Sequence, residues 1–248
     1  MKATKTLFLI TSCLCILYSC YSSVSQISFR KTPVDFQYPP VGSVPTIAVA
    51  GSIDFSPNYP IHFIGDSRTV GMQQALTYGG QDLTNHRFTA RVGKGYSWLV
   101  TQSQLQELPP SILIINLGVN DLGNLKNYQA LYETYAQTYW KNCSIYIVSV
   151  NPCRHPCTSV SNGQIEAFNT SMQQWINTYN AENVSASAET FPIHYIDTYH
   201  MLLTEGYSSS DGLHYSATTY EKIYNYILNS IQESIGDGTG TYTYKVSS

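Results

Sequence analysis

A serine and an aspartate–histidine pair are the residues best suited to nucleophilic chemistry. Ser67 lies in Gly65-Asp66-Ser67-Arg68, where a short apolar run ends and a segment of helical period begins. The unpaired N–H groups and positive dipole end of a helix N-terminus favour developing negative charge. Asp211 and His214 are three residues apart in a predicted turn, so the carboxylate can hold one imidazole nitrogen while the other points at a serine hydroxyl. Taken alone, each has a structural interpretation, since Ser67 or Thr69 can cap a helix and a single histidine is commonly a surface residue.

Two further segments offer hydrogen-bond donors. Gly93 and Gly95 flank a lysine after another apolar run, and glycine lets the backbone approach a ligand closely. Asn120 follows a third apolar run, and an amide donor aimed at a developing oxyanion contributes about 2.7–4 kcal/mol to lowering a barrier. Glycine and asparagine are also ordinary turn residues, so these segments gain meaning only beside Ser67 and His214.

Short apolar runs alternate with segments of helical period, and this alternation sets where the reactive groups lie. The predicted strands are 62–64, 87–92, 112–117, 144–150 and 193–196. The predicted helices that follow them are about 69–78, 97–107, 124–140, 163–180 and 216–234. Five such units predict an α/β fold, a three-layer α/β/α sandwich with a five-stranded parallel sheet. Ligands of these sheets bind beyond the carboxyl ends of the strands, where Ser67, Gly95 and Asn120 fall.

Four motifs follow one another in a fixed order: GDSR at 65–68, GKG at 93–95, GVND at 118–121 and DGLH at 211–214. In this order and at these strand ends, the motifs resemble those of the SGNH (GDSL-type) hydrolase family. The resemblance covers about residues 61–234 and implies the SGNH/flavodoxin-like version of the α/β fold. It also implies a serine esterase that needs no cofactor and no metal.

The resemblance assigns roles to individual residues. It implies that Ser67 is the nucleophile, His214 the general base and then acid, and Asp211 the carboxylate that orients His214. The implied oxyanion hole comprises the Ser67 backbone N–H, a glycine backbone N–H and the Asn120 side chain. Gly95 aligns best with the family glycine because Ser97 follows it by two residues, and Gly93 is the alternative.

Neighbours of the motifs bear on the substrate. We expect Arg68 to face a polar or anionic group of the substrate, or to pair with a neighbouring carboxylate. Tyr96, and with it Trp98 and Tyr215, can stack on a sugar ring or pack in the core.

Other acidic and imidazole groups lie outside the motifs. Asp197 is a rival partner for His214, although the three-residue spacing favours Asp211. The remaining histidines lack a motif partner and receive no role: His62, His86, His155, His194 and His200.

Composition narrows the class of substrate. Charged residues make up only 12% of the 248 residues and the formal net charge is −3, so no basic surface points to nucleic acid. The 21 tyrosines indicate an uncharged polar surface. We therefore expect a small-molecule or glycan ester substrate, with O-acetyl groups on carbohydrate preferred. The alternatives are an O-acyltransferase acting on envelope glycans and a non-catalytic carbohydrate-binding protein, and no protein partner is inferred.

The N-terminal residues predict export. Residues 1–20 combine early lysines with a short apolar run, as in a signal peptide. The end of this run resembles a bacterial lipobox, so lipidation of Cys20 and membrane attachment compete with ordinary cleavage around residues 20–25. A secreted protein or a cell-surface lipoprotein of a bacterium is expected. Residues 21–60 are interpreted as a tether or wrapping arm, 61–235 as the SGNH hydrolase domain and 236–248 as a flexible tail.

A cluster of sulfur and imidazole groups forms a separate candidate site. Cys153 and Cys157 can close a small disulfide loop in an oxidising compartment. A metal site that adds His155 is the alternative, but this spacing matches no common zinc motif.

Overall fold

Five short strands form one sheet, and four of them contain two or more isoleucine, leucine or valine residues. The computed structural model describes residues 59–184 and 191–234. The strands are β1 (Ile61–Gly65), β2 (His86–Ala90), β3 (Ile112–Asn116), β4 (Ser144–Val148) and β5 (Ile193–Ile196). Their order is β2-β1-β3-β4-β5, and every neighbouring pair is parallel. The predicted five-stranded parallel sheet is therefore confirmed.

Helices cover both faces of this sheet. They are α1 (Ser67–Tyr78), α2 (Tyr96–Leu99), α3 (Leu125–Gln137), α4 (Asn162–Tyr179), α5 (Thr198–Glu205) and α6 (Ala217–Ser234). Successive strand residues point to opposite faces, so Leu113 and Ile115 of β3 pack with α3 and α4. Ile114 between them packs with α1, α5 and α6. Two cores separated by one sheet give the three layers that the sequence predicts.

The predicted helix at 97–107 is wrong in its extent. The structure has the four-residue α2 and a separate 3-10 helix, Ser103–Gln106. Thr101 Oγ1 and Gln102 Nε2 both donate to the Trp98 carbonyl, at 2.7 and 3.1 Å. The backbone N–H groups of Thr101 and Gln102 bond to the carbonyls of Trp98 and Leu99, at 3.0 and 3.1 Å. These acceptors lie three and not four residues back, so the α-helical pattern ends there. Helix α5 was not predicted at all.

The strand register brings the first three carboxyl ends together. Gly65, the last residue of β1, lies opposite Ala90 of β2 and Asn116 of β3. Because β1 lies between β2 and β3, the loops that follow all three strands meet at one edge of the sheet.

Several predictions concern residues outside the described ranges. These are the export segment 1–20, nearly all of the arm 21–60 and the tail 236–248, and they stay predictions. Within residues 59–184 and 191–234, no helix is long and apolar enough to cross a membrane.

Candidate active site

Ser67 is held at the first turn of α1 by its neighbours. Asp66 caps the helix, and its Oδ1 accepts a hydrogen bond from the Arg68 backbone N–H at 2.9 Å. Ser67 itself is only 7% exposed, and its backbone N–H belongs to the first turn, where helices leave N–H groups without an intrahelical acceptor. The hydroxyl is thus presented at the carboxyl edge of the sheet beside a source of backbone donors.

The loop before α6 places Asp211 and His214 in one tight turn. Asp211 Oδ1 accepts from the backbone N–H groups of Leu213 and His214, at 2.8 and 2.7 Å. Gly212 has φ +80°, and a Cβ there would lie 1.9 Å from the Arg154 carbonyl oxygen. Only glycine fits this position, because the backbone conformation is left-handed and the neighbouring chain is in contact.

Three side chains form a continuous hydrogen-bonded chain. His214 Nδ1 lies 2.6 Å from Asp211 Oδ2, and His214 Nε2 lies 2.8 Å from Ser67 Oγ. A carboxylate can only accept, so Nδ1 carries the proton and Nε2 is left to accept the proton of Ser67. The structure thus brings together the serine, base and orienting carboxylate that the sequence indicated.

Charge and exposure differ among Ser67, His214 and Asp211. The His214 imidazole and the two backbone N–H groups bonded to Asp211 hold the pKa of that carboxyl well below its ordinary value. Asp211 therefore stays ionised at neutral pH. The side chains of His214 and Asp211 are 41% and 52% exposed, whereas Ser67 is nearly buried. The triad opens to solvent along its imidazole–carboxylate side.

The loops after β2 and β3 are fastened to each other beside Ser67. Asp121 accepts hydrogen bonds from the Tyr96 backbone N–H at 2.7 Å and from the Tyr128 hydroxyl at 2.8 Å. A Cβ on Gly95 would lie 2.3 Å from Asp121 Oδ2, so the two loops touch at this glycine. Asn120 Nδ2 donates to the Lys94 carbonyl at 2.9 Å, which uses one of its two amide hydrogens.

The two predicted substrate-binding residues, Arg68 and Tyr96, pack against other parts of the protein. Arg68 is 2% exposed and its guanidinium bonds to backbone carbonyls inside the protein. The geometry thus contradicts both expectations for Arg68, the substrate contact and the pairing with a carboxylate. The Tyr96 ring packs edge-on against Tyr128, with ring centroids 5.6 Å apart, and is partly exposed. A substrate contact for Tyr96 stays a prediction.

A second aspartate–histidine pair was missed by sequence reasoning. Asp197 Oδ1 accepts from the His200 backbone N–H at 3.0 Å, and Asp197 Oδ2 lies 2.6 Å from His200 Nδ1. The pair caps α5 and repeats the Asp211–His214 arrangement in detail. Its signal was present in the sequence, because DTYH at 197–200 has the same three-residue spacing as DGLH. Asp197 is therefore the partner of His200 and not of His214.

The structure places the two candidate sulfur groups of Cys153 and Cys157 as separate thiols. Cys153 and Cys157 are both free thiols in this structure. Within residues 59–184 and 191–234, no cluster of three or more His, Cys, Asp or Glu side chains is placed to hold a metal ion. The structure therefore does not support Cys153, His155 and Cys157 as metal ligands.

Comparison with known families agrees with this arrangement. The family model for GDSL-like lipase/acylhydrolase proteins matches residues 61–227. The chain belongs to this family. As a GDSL-family member, the protein is a carboxylic ester hydrolase. No curated protein matches the sequence.

Solved structures share the GDSL-family fold at low sequence identity. A Streptococcus pneumoniae protein assigned provisionally as a platelet activating factor is 17% identical, with TM-score 0.55 and coverage of 72% of this chain and 86% of that one. An acylhydrolase of Bacteroides fragilis, also assigned provisionally, is 15% identical with TM-score 0.52, covering 73% and 89%. The C-terminal catalytic domain of Streptococcus pneumoniae peptidoglycan O-acetyltransferase A is 18% identical with TM-score 0.50, covering 70% and 93%.

Proposed function

We propose that the protein is an exported or surface-anchored serine esterase that removes O-acetyl groups from carbohydrate. The observation that carries the catalytic part is the hydrogen-bonded chain from Ser67 Oγ through His214 to Asp211. The apolar N-terminal run and the lipobox-like end at Cys20 support export. The nature of the ester is inferred from how open the site is.

The hydrogen bonds define the direction of proton transfer. Ser67 Oγ attacks the ester carbonyl carbon as His214 Nε2 takes the hydroxyl proton. Asp211 stabilises the imidazolium that results. The C–O bond to the alcohol then breaks, His214 returns the proton to the leaving alkoxide, and an acyl group remains on Ser67. Water repeats the sequence with His214 as base, which releases the acid and restores the serine.

Three donors are assigned to the oxyanion of the tetrahedral intermediate. They are the backbone N–H groups of Ser67 and Gly95 and the amide of Asn120. The bond from Asn120 to the Lys94 carbonyl supports this assignment, because it ties the amide to the loop that carries Gly95. Fixed donors need no reorganisation as charge develops, which is the main source of their effect.

The exposure of the His214 and Asp211 side chains supports a substrate in which a small acyl group is esterified to a bulky alcohol. The His214 and Asp211 side chains are 41% and 52% exposed, so a polymer can approach the triad from outside. On the described loops 91–95, 117–121 and 211–214, Val92 is the one large apolar side chain that is exposed. A long acyl chain would find little apolar surface there to bury. These features favour acetyl over long-chain esters.

Chromogenic esters of increasing acyl length test the proposal. We expect the purified protein to hydrolyse p-nitrophenyl acetate faster than the butyrate, with little turnover of the octanoate. Ser67→Ala should lower kcat by about 10⁴-fold or more and abolish the acetyl adduct on residue 67 seen by mass spectrometry. Ser103→Ala, at an exposed serine of the 3-10 helix, is the matched control and should retain full activity. Octanoate turnover above acetate would refute the short-acyl proposal.

Acyl transfer to a sugar hydroxyl is the second candidate function. It is favoured by the same openness, because the exposed edge of His214 admits a sugar hydroxyl as well as water. An acetyl donor incubated with a glycan acceptor separates the two outcomes. Free acetate in excess of acetylated glycan supports hydrolysis, and the reverse supports transfer. Glycan binding without turnover of any ester, unchanged in Ser67→Ala, would indicate a non-catalytic carbohydrate-binding protein.

A further inference from the structure

Arg68 is a buried cation directly beside the nucleophile. Its side chain donates three hydrogen bonds, all to backbone carbonyls. Nε bonds to Leu213 O at 3.0 Å, while the two terminal nitrogens bond to Asn151 O at 2.7 Å and Pro152 O at 3.2 Å. None of the ion pairs in the described part of the chain involves this residue. The hydrogen bonds of the guanidinium therefore hold backbone, and none of them goes to a carboxylate.

The partners of Arg68 lie on both sides of His214 in the chain. Leu213 precedes His214 and supplies the carbonyl that Nε binds. Tyr215 follows His214, and the Arg68 guanidinium carbon lies 5.2 Å from the centroid of its ring. The Tyr215 hydroxyl in turn donates to Pro152 O, a carbonyl that Arg68 also binds. The backbone of His214 is thus fixed between two contacts to one side chain.

This arrangement connects three distant parts of the chain. Arg68 belongs to the first turn of α1, Asn151 and Pro152 follow β4, and Leu213 and Tyr215 lie in the loop before α6. Burying a charge is costly unless its donors are satisfied, so an apolar residue would be the simpler occupant of this position. The rigid, planar fork of arginine can bind several carbonyls at fixed angles, which the single ammonium of lysine cannot do.

We propose that Arg68 is a positioning residue that sets the His214 imidazole opposite Ser67. The inference rests on the proposed function, because it assigns Arg68 a part in the same Ser67–His214 transfer. Ser67 and Arg68 are consecutive, so one residue presents the hydroxyl while the next fixes the loop that carries the base. A displacement of His214 by about 1 Å would lower catalysis by about 10²-fold.

Kinetics of two substitutions give the first test. Arg68→Lys keeps the charge but loses the fork, and Arg68→Met loses both. We expect kcat to fall about 10²-fold in Arg68→Lys and further in Arg68→Met, with KM changed less than about threefold because Arg68 does not reach the substrate. The control is Arg87→Met. Arg87 is an exposed arginine near the start of β2, away from the carboxyl edge that carries the triad, and its loss should change kcat by no more than about threefold.

An imidazole N–H resonance gives a readout that needs no turnover. His214 Nδ1 and His200 Nδ1 each lie 2.6 Å from a carboxylate, and both should give downfield proton signals, assigned with His214→Gln and His200→Gln. In Arg68→Lys the His214 signal should shift or broaden while the His200 signal is unchanged. A wild-type protein that turns over no ester but shows this selective change would refute the proposed function and leave the positioning role standing.

Folding of the variants is checked by urea denaturation. If neither Arg68 variant folds, Tyr215→Phe tests the same contact, because it removes only the hydroxyl on Pro152 and keeps the ring under the guanidinium. We expect a several-fold fall in its kcat and the same change in the His214 signal. Wild-type kcat and an unchanged His214 signal in a folded Arg68→Lys, or in Tyr215→Phe where that is the variant that folds, would overturn the proposal. So would an equal loss in Arg87→Met.

Discussion

Replacing Asp211 by asparagine tests whether its second oxygen sets the tautomer of His214. Oδ1 already accepts the backbone N–H groups of Leu213 and His214, at 2.8 and 2.7 Å. Asparagine can keep these bonds with its one carbonyl oxygen, which leaves its NH₂ group facing His214 Nδ1 in place of Oδ2. Two N–H groups cannot bond to each other, so the imidazole must carry its proton on Nε2. That nitrogen then points a hydrogen at Ser67 Oγ and cannot accept the serine proton.

The expected fall in kcat of Asp211→Asn is large because His214 can no longer act as the general base. A wrong imidazole tautomer in an otherwise intact serine triad lowers kcat by about 10⁴-fold, or about 5.5 kcal/mol of activation free energy. The steady-state rate of p-nitrophenyl acetate hydrolysis measures this directly. The substitution conserves shape but removes the charge that His214 and the backbone N–H groups stabilise. Because the side chain is half exposed, solvent screens this charge and the urea midpoint should fall only slightly. A rate loss with preserved folding separates the tautomer effect from damage to the loop.

The second aspartate–histidine pair offers a control of the same geometry. Asp197 accepts from the His200 backbone N–H at 3.0 Å and holds His200 Nδ1 at 2.6 Å. Asp197→Asn therefore makes the same chemical change at a pair that does not contact Ser67. We expect its kcat to stay within about twofold of wild type. The reasoning would be wrong if Asp211→Asn kept more than a tenth of the activity, or if both variants lost the same amount.

Three further substitutions test the surroundings of the triad. Gly95→Ala should lower kcat by at least tenfold in the ester assay. Its Cβ would lie 2.3 Å from Asp121 Oδ2 and displace the loop that carries an oxyanion donor. In the control Gly123→Ala, the new Cβ has no neighbour within 4 Å, and kcat should stay unchanged. Burial raises the pKa of Asp66 from 3.8 to about 6, so this carboxyl lowers the stability of the folded protein as the pH rises from about 4 to about 6. Asp66→Asn should then be more stable than wild type by up to about 3 kcal/mol at pH 8, with the difference shrinking toward pH 4.5, as measured by urea denaturation. Burial lowers the pKa of His62 from 6.5 to about 4, so wild type loses stability as the pH falls from 6.5 to 4. His62→Gln should reduce that loss by up to about 3 kcal/mol, and an unchanged acid slope would contradict the assignment.

The aliphatic strands could be predicted because few other structures suit their sequences. A run such as 112–115, with four consecutive aliphatic residues, is too short for a buried helix and suits a strand covered on both faces. The structure places its residues alternately in the two cores. Because ligands of parallel sheets bind at the carboxyl edge, the same reasoning predicts that Ser67 and Asn120 lie at one edge of the sheet.

Helix bounds were less predictable because local hydrogen bonds decided them. The segment 97–107 has apolar residues at Trp98 and Leu105, seven residues apart, and this spacing places both on one face of a helix. The α-helix nevertheless ends at Leu99, where the backbone N–H groups of Thr101 and Gln102 turn to acceptors three residues back and their side chains bond to the Trp98 carbonyl. Conversely, α5 follows its strand after a single residue, Asp197, which caps it, so the pattern at 193–205 lacks the loop that usually separates a strand from a helix.

The role of Arg68 depends on contacts that sequence spacing does not contain. From sequence alone, an arginine beside a nucleophile is equally compatible with a contact to the substrate and with buried contacts inside the protein. Its three carbonyl partners are 83, 84 and 145 residues away along the chain, and carbonyls are present at every residue. No residue type marks such a partner, so only the folded arrangement shows that Arg68 binds backbone.

The two aspartate–histidine pairs show what a local sequence motif can and cannot predict about a catalytic histidine. An aspartate three residues before a histidine can accept the histidine backbone N–H with one oxygen and its Nδ1 with the other, and the chain forms this turn at Asp211 and again at Asp197. Local spacing therefore produces an oriented imidazole in both places. What separates them is that His214 Nε2 meets Ser67 Oγ across 147 residues of sequence. The order of the strands brings those two segments to one edge, and the bonds from Arg68 hold the histidine loop against the residue next to the serine. Reactivity at His214 is thus a property of tertiary placement. For this reason, substitutions at Arg68 should lower catalysis and leave the geometry of the Asp197–His200 pair unchanged.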